Sequence, residues 1–386
     1  MTICFISDGY PGAYFGGIAI YTQRLARALV HRGHCVHVIA RDTMNLDLDD
    51  QGVQVHFRRV RWIPLLGRFL PGLGESIGLA RALRTLDRLF HFEVVEFPNW
   101  EGLGLVSARL LRMPTVARLH TSVLESWETA GRHPTQAERF LFWAEKSSVR
   151  SATAVLTHSE AHARHMAAAY GIHNIKIIPH GVPIPESFQP STTRNVLSIG
   201  RMDSRKAMHV LIDAIPRILE KVPDATFNLV GVDESNPRAQ AFRARFPGIT
   251  GVRFLRFVDE ARLRDLFNEC AIYASPAIYE SFGLTFAEAM AHGRPVVGCA
   301  TGGVPEIVRH QIDGLLVQPG NPQALADAII ILLEDDELRS RIGVAARQRA
   351  VDCFSIDLAA ERVETYLTSI AQIKSSRQAQ EPPKES

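Results

Sequence analysis

Cysteine is scarce and unpatterned in this 386-residue chain: Cys4, Cys35, Cys270, Cys299 and Cys353 form no C-x-x-C pair and no Cys/His cluster. Their odd number and scatter exclude a disulfide framework and a structural zinc site. Four of them lie in or beside apolar stretches, so buried, reduced thiols and a cytoplasmic protein are expected. A large net charge is missing too. Lys and Arg number 43 against 41 Asp and Glu, which argues against a nucleic-acid binder that relies on general basicity. No apolar run approaches the ~20 residues of a membrane span. The opening M-T-I-C-F-I-S has neither a basic region nor a cleavage pattern, so no signal peptide is expected.

What the chain does have is alternation. Short apolar strands are predicted at 3–7, 35–40, 53–57, 93–97, 115–119 and 153–157, separated by helical stretches such as 74–90 and 135–150. Residues 177–195 hold four prolines and no periodicity, which places an inter-domain linker at 183–195. The alternation then restarts, with strands at 196–199, 226–230, 252–257, 271–275, 295–298 and 314–317. Helices are predicted over 321–350 and 355–373, the latter packing back across the linker, and 374–386 reads as a disordered tail. This is an α/β chain of two Rossmann-like, doubly wound domains, 1–182 and 196–354, facing each other across a cleft. Ligands of such sheets bind at the carboxyl ends of the strands.

Function is written most densely in Y-E-S-F-G-L-T-F-A-E-A-M, where Glu280 and Glu288 stand eight residues apart. The spacing puts Glu280 at the end of a strand over 271–277 and Glu288 about one turn into a helix over 284–292, stopped by Gly293 and Pro295. Two acceptor groups beside a helix N-terminus suit a ligand with both hydroxyls and phosphate. Taken alone, the pair reads equally as solvated helix-end charges, so the neighbours decide. Strand 196–199 runs into Gly200-Arg201-Met202-Asp203-Ser204-Arg205-Lys206, where Arg201 and Lys206 form a candidate diphosphate clamp. After strand 295–298, Thr301-Gly302-Gly303-Val304-Pro305 lets a phosphate or sugar approach the backbone closely, or is simply a tight turn.

V-L-S-I-G-R-M-D-S-R-K, Y-E-S-F-G-L-T-F-A-E-A-M-A-H-G-R-P-V-V-G and T-G-G-V-P-E-I-V-R-H-Q-I-D-G-L-L-V-Q-P-G, in this order, resemble family 4 of the retaining glycosyltransferases, of the GT-B fold. The resemblance is strongest over 196–350 and weaker over 1–180. It implies an N-terminal acceptor domain, a C-terminal donor domain, and sugar transfer from a nucleotide-diphosphate sugar, UDP by default, to a hydroxyl acceptor. By position, Glu280 would hydrogen-bond the donor sugar and Glu288 the ribose, and Arg201 and Lys206 would neutralise the diphosphate. Backbone groups around Phe282, Gly283, Leu284 and Thr285 would help to hold sugar and phosphate. In the first domain the loop Pro11–Ile18 is not G-x-G-x-x-G, which counts against a dehydrogenase; in the family such a loop, with Gly16 and Gly17, reaches donor or acceptor. His120, after V-A-R-L, matches a histidine near the donor sugar and is expected to hydrogen-bond and stabilise charge rather than act as a simple base. Where the family has Asn-Gly this chain has His180-Gly181, so His180 reads as a turn residue; Arg205 and His209 also depart from the pattern.

Glu96, Asn99 and Trp100 after strand 93–97 are candidate acceptor contacts, with Trp100 able to stack on a sugar face. Asp47-Leu48-Asp49 matches a metal-binding D-x-D pattern, but it reads as a polar surface loop. The cations of the clamp can supply the charge of a metal, so no metal and no cofactor are expected. Residues 58–70 mix four arginines with Trp62, Leu65, Leu66, Phe69 and Leu70, a candidate peripheral contact with the inner face of a membrane or with a lipid-linked acceptor. Two other classes remain open: a non-hydrolysing sugar-nucleotide epimerase, which would need further acid/base carboxylates, and a non-catalytic nucleotide-sugar binder.

Overall fold

The computed structural model describes residues 1–11, 16–59, 70–111 and 113–378, with side chains through 372. The chain divides into two units, Met1–Gly181 with the segment from Ile356 onward, and Val182–Ser355. The two doubly wound α/β domains read from the alternation are present.

The first unit is built on an eight-stranded sheet: β1 (Thr2–Ser7), β2 (Cys35–Asp42), β3 (Leu46–Asp50), β4 (Val53–Arg59), β5 (Val94–Pro98), β6 (Thr115–Arg118), β7 (Ala154–Thr157) and β8 (Ile175–Ile177). Their order is β3-β4-β2-β1-β5-β6-β7-β8. All neighbours pair in parallel except β3 with β4. Runs such as Val36, Val38, Ile39 and Ala40 are apolar on both faces because helices cover both sides. Helix Leu73–Phe90 buries Ser76, Leu79, Leu83 and Leu86, the i, i+3, i+4 stripe of a helix on a sheet. The strand order reverses between β1 and β5, and the helix Gly17–His31 starts after β1 at that point.

The second unit has six parallel strands: β9 (Asn195–Ile199), β10 (Thr226–Val230), β11 (Val252–Leu255), β12 (Ile272–Ser275), β13 (Val296–Cys299) and β14 (Gly314–Val317). Their order, β11-β10-β9-β12-β13-β14, is the doubly wound 3-2-1-4-5-6 arrangement, with its switch point between β9 and β12.

Four expectations need correction. The Asp47–Asp49 stretch is not a loop but the edge strand β3, closed onto β4 by a two-residue turn in which Gln51 and Gly52 have φ of 56° and 88°. Positive φ at both positions suits the twist of a hairpin. The strand is almost wholly exposed, so no apolar alternation marked it; Asp47 accepts from His56 Nδ1 at 2.8 Å and pairs with Arg58. The helix expected over 321–350 is two, Pro322–Glu334 and Asp336–Phe354, because Asp335 is extended and its side chain caps the second by accepting from Leu338 N. The last helix runs Ile356–Gln378, five residues into the expected tail, and packs on Gly17–His31, with Glu364 bridging Arg32 and His34. Of the thiols, all free, Cys4, Cys270 and Cys299 are buried, Cys353 is half-buried and Cys35 is exposed.

Residues 183–195 belong to the second unit rather than lying free. Val182 N bonds Phe354 O at 2.8 Å, Arg347 donates to Pro185 O and covers the Phe188 ring, and Thr193 Oγ1 bonds Glu269 O at 2.9 Å. Most of the basic, apolar stretch at 58–70, the Gly12–Phe15 part of the glycine loop, and residues 379–386 lie outside the described residues. Among the described residues no helix is long and apolar enough to cross a membrane.

Candidate functional site

In the second unit, three loops from adjacent strands converge at the switch point. After β9, Asp203 folds the chain back: its carboxylate accepts Lys206 N at 2.7 Å and its carbonyl accepts Ala207 N at 3.0 Å. That turn presents Arg205 and Lys206 together to the loop after β12. Ile278 N bonds Arg205 O at 2.9 Å, stitching the two loops. Lys206 Nζ then meets Glu280 Oε1, and Arg205 Nη1 meets Glu280 Oε2 at 3.2 Å. The third loop, after β13, fixes the Glu280 backbone, since Gly303 N donates to Glu280 O at 2.8 Å. Gly302 has φ of 55°, and a Cβ there would lie 2.2 Å from the same oxygen, so the close approach requires glycine.

Glu280 is 5% exposed. Burial pushes its carboxyl up, but the charges of Lys206 and Arg205 outweigh that and hold it below the usual carboxylate range. The result is an ionised carboxylate fixed at a strand end beside two cations. Arg201 is not among them. It is largely exposed and pairs with Asp203 at 3.2 Å. The second cation on Glu280 is Arg205, one of the residues that depart from the pattern of the resembling family. The signal was its adjacency to Lys206 after an aspartate able to cap the turn.

The helix after Glu280 starts as expected. Gly283, with φ of 106°, opens helix Leu284–Ala291, so the N–H groups of its first turn, Leu284 and Thr285 among them, lack i−4 partners. Thr285 Oγ1 is hydrogen-bonded by Tyr273 OH at 2.7 Å. Phe282 turns inward and packs edge-on against Phe354, 5.9 Å between ring centroids, so that only its backbone is placed for a ligand. Glu288 sits one turn into the helix, half-buried.

The first unit gathers histidines at the carboxyl ends of β6, β7 and β8. His120, His158, His162 and His180 are all buried. His158 stacks 4.6 Å from His162 and 4.5 Å from His180; His180 lies 5.5 Å from His120 and 4.0 Å from Tyr21. Burial, then Arg118 and His162, push His120 down to about 3, and burial, then the neighbouring histidines and Arg118, drives His158 and His180 down as well. His120, His158 and His180 are thus neutral at physiological pH. His180, read from the sequence as a turn residue, is a buried member of a ring stack.

Two expected acceptor contacts are occupied internally. Glu96 is buried and takes Arg118 bidentately, Nε to Oε1 at 2.5 Å and Nη2 to Oε2 at 2.9 Å, and Arg118 covers the Tyr21 ring at 5.0 Å. Asn99 Oδ1 accepts His120 N at 2.7 Å while its amide donates to His120 O and Tyr170 OH, so it frames the His120 backbone. Trp100, half-buried, opens the short 3-10 turn Trp100–Gly102 and alone of the three keeps accessible surface. The missed partner, Arg118, left a trace: one cation in V-A-R-L and one acid in V-V-E-F, both in otherwise apolar strands. Gly16 caps helix Gly17–His31, where a Cβ on Gly17 would meet open space. Asp8 and Glu101, after β1 and β5, both pair with Arg41 near the end of β2, a cluster the sequence did not announce.

Residues 193–335 match the family described as Glycosyl transferases group 1, and residues 15–185 match Glycosyltransferase Family 4. The phosphatidyl-myo-inositol mannosyltransferase of Mycobacterium leprae is 31% identical over 391 residues, covering 96% of this chain and 98% of its own. Among solved structures, sucrose-phosphate synthase from Thermosynechococcus elongatus superposes with a TM-score of 0.81 at 22% identity, over 96% of this chain and 99% of that one. HepE of Anabaena, in complex with UDP and glucose, gives 0.72 at 21% identity, over 96% and 100%. The last two show the fold.

Proposed function

Because the chain belongs to glycosyltransferase family 4, and is a glycosyltransferase of the GT-B fold, we propose that it takes its sugar from a nucleotide-diphosphate sugar, retains the anomeric configuration and uses no metal. The observation that carries this reading is the ionised Glu280 held by Lys206 and Arg205 at the β9/β12 switch point. A fixed carboxylate accepts hydrogen bonds from sugar hydroxyls. The two cations beside it, with exposed Arg201 on the same loop, supply charge for a diphosphate without a metal. Glu288 takes the ribose hydroxyls, and backbone N–H groups from Phe282 to Thr285 take phosphate or sugar oxygens. UDP is the donor nucleotide we favour, since HepE, of the same fold, was solved with it.

In transfer, the anomeric bond to the diphosphate breaks while positive charge builds on the sugar ring. The cations stabilise the leaving group, and its phosphate oxygen accepts the proton of the attacking hydroxyl on the same face, so configuration is retained. Among the described residues, Glu280 is the carboxylate recorded against Lys206 and Arg205, which favours this route over double displacement. His120, held neutral, serves as a hydrogen-bonding group rather than an acid. The acceptor is a hydroxyl of a sugar, a lipid-linked sugar or a small metabolite, with Trp100 as its candidate contact in the first unit, and the protein works in the cytoplasm or peripherally at a membrane.

Lys206→Ala is the test. Arg205 still pairs with Glu280, so the chain stays folded, and kcat falls about 100- to 1,000-fold, the scale of one lost transition-state contact. Unchanged turnover would remove the clamp. A chelator that abolished activity, or an inverted product anomer by NMR, would sink the metal-free and retaining parts. Donor incubated alone is slowly hydrolysed to nucleoside diphosphate; an isomerised donor would indicate an epimerase instead.

A further inference from the structure

A cavity of about 160 Å³ opens at the amino-terminal edge of the second unit's sheet, the edge opposite the loops that hold Glu280. Phe188, Pro190, Arg294, Pro295, Asp336 and Arg339 are among the residues that line it, so its wall carries one carboxylate as well as two guanidinium groups. Arg294 and Pro295 stand there because they immediately precede β13, and Phe188 to Ser191 because the proline-rich segment is pinned along this edge.

The two arginines differ in their partners. Arg339 donates Nη1 to Leu332 O at 3.0 Å and pairs through Nη2 with Asp336 at 2.7 Å. Arg294 is 3% exposed and donates Nε to Phe267 O and Nη2 to Asn268 O, both at 2.9 Å, at the carboxyl end of helix Glu260–Glu269. It has no ion-pair partner among the described residues, and its Nη1 makes no hydrogen bond there. Helix-end carbonyls compensate a cation only partly, and a buried charge without a counter-ion is costly. Asp336 on the wall is exposed and already paired with Arg339, so it does not neutralise Arg294, and burial and then Arg294, Arg347 and Arg264 push the neighbouring His292 down to about 4.

We propose that this cavity binds a small organic anion, its charged group on Nη1 of Arg294 and its apolar body against Phe188, Pro190 and Pro295. The size fits one aromatic ring, since an apolar cavity of about 150 Å³ admits benzene. Phe188 to Ser191 lie on the segment that leads from the first unit into the second, so the ligand is an effector rather than a substrate. The site shares no residue with the donor cluster and does not rest on the donor reading.

Calorimetric titration of the full chain with benzoate, benzamide and inorganic phosphate tests it. Benzoate binds saturably at one site; benzamide, which lacks the charge, and phosphate, which lacks the body, bind at least about ten-fold more weakly, the scale of one charged hydrogen bond. Arg294→Met loses about ten-fold or more and Arg294→Lys recovers most of it. Ser340→Trp, an exposed rim position, blocks benzoate while leaving the melting curve unchanged and keeps the test open should Arg294→Met not fold. Absence of saturable benzoate binding, equal affinity for benzamide, or full binding in Arg294→Met would overturn the site. Phosphate binding as tightly as benzoate would mean an adventitious anion only and would overturn it equally.

Discussion

Replacing Gly302 with alanine separates backbone conformation from the close packing that positions Glu280. Gly302 has φ of 55° and its Cβ would sit 2.2 Å from Glu280 O, a distance that must open to at least 3.0 Å. Gly320 is the matched control: φ is 73°, with nothing within 4 Å of its Cβ. Both variants bear the left-handed backbone cost of about 1–2 kcal/mol. Only Gly302→Ala adds the overpacking cost, about 1–3 kcal/mol, and moves the Glu280 backbone and its bond from Gly303 N. Displacing a positioning group by about 1 Å costs on the order of 100-fold in rate. Denaturant unfolding and steady-state transfer on both variants give the comparison. Gly320→Ala loses about 1–2 kcal/mol and keeps its kcat, while Gly302→Ala loses about 2–5 kcal/mol and most of its kcat. Equal stability losses with kcat intact in both would refute the claim that the third loop sets Glu280.

The histidine stack makes stability depend on pH. His120, His158 and His180 stay neutral in the folded chain, whereas unfolding restores values near 6.5, so below that pH the unfolded chain binds the extra protons and stability falls. Glu145, pushed up to about 8 by burial, works the other way, its contribution complete below about 4.5 and lost as pH rises through 8. These four groups together give a loss of up to about 3 kcal/mol per unit between pH 6 and 5, and urea melts showing constant or rising stability on that descent would refute it. Glu96→Ala leaves Arg118 charged and buried, at a cost of about 3–5 kcal/mol, and adding Arg118→Met recovers much of it. A double variant as unstable as the single one would show that the pair is not the unit that matters. Replacing His180 by Asn removes the ring 5.5 Å from His120 and should lower kcat about ten-fold with donor KM little changed; an unchanged kcat would show that the stack does not position His120.

The sequence by itself determined the class of fold, the family and most of the donor loop. Parallel strands buried on both faces are continuous apolar runs, which can be read without coordinates. Glycines with one conformational role, such as Gly283 before helix Leu284–Ala291, mark their own turns. Charges were another matter. The sequence paired Arg201 with Lys206 by spacing, and the Asp203 turn delivered Arg205 instead, because side-chain direction in a non-repetitive loop has no period to read. Glu96 and Asn99 looked like ligand groups until Arg118 and the His120 backbone, 22 and 21 residues away, claimed them. Four histidines spread from 120 to 180 became one stack because β6, β7 and β8 end side by side. Which polar groups are spent inside the protein, and which are left for a ligand, is set by contacts distant in sequence. Only the tertiary structure decided that.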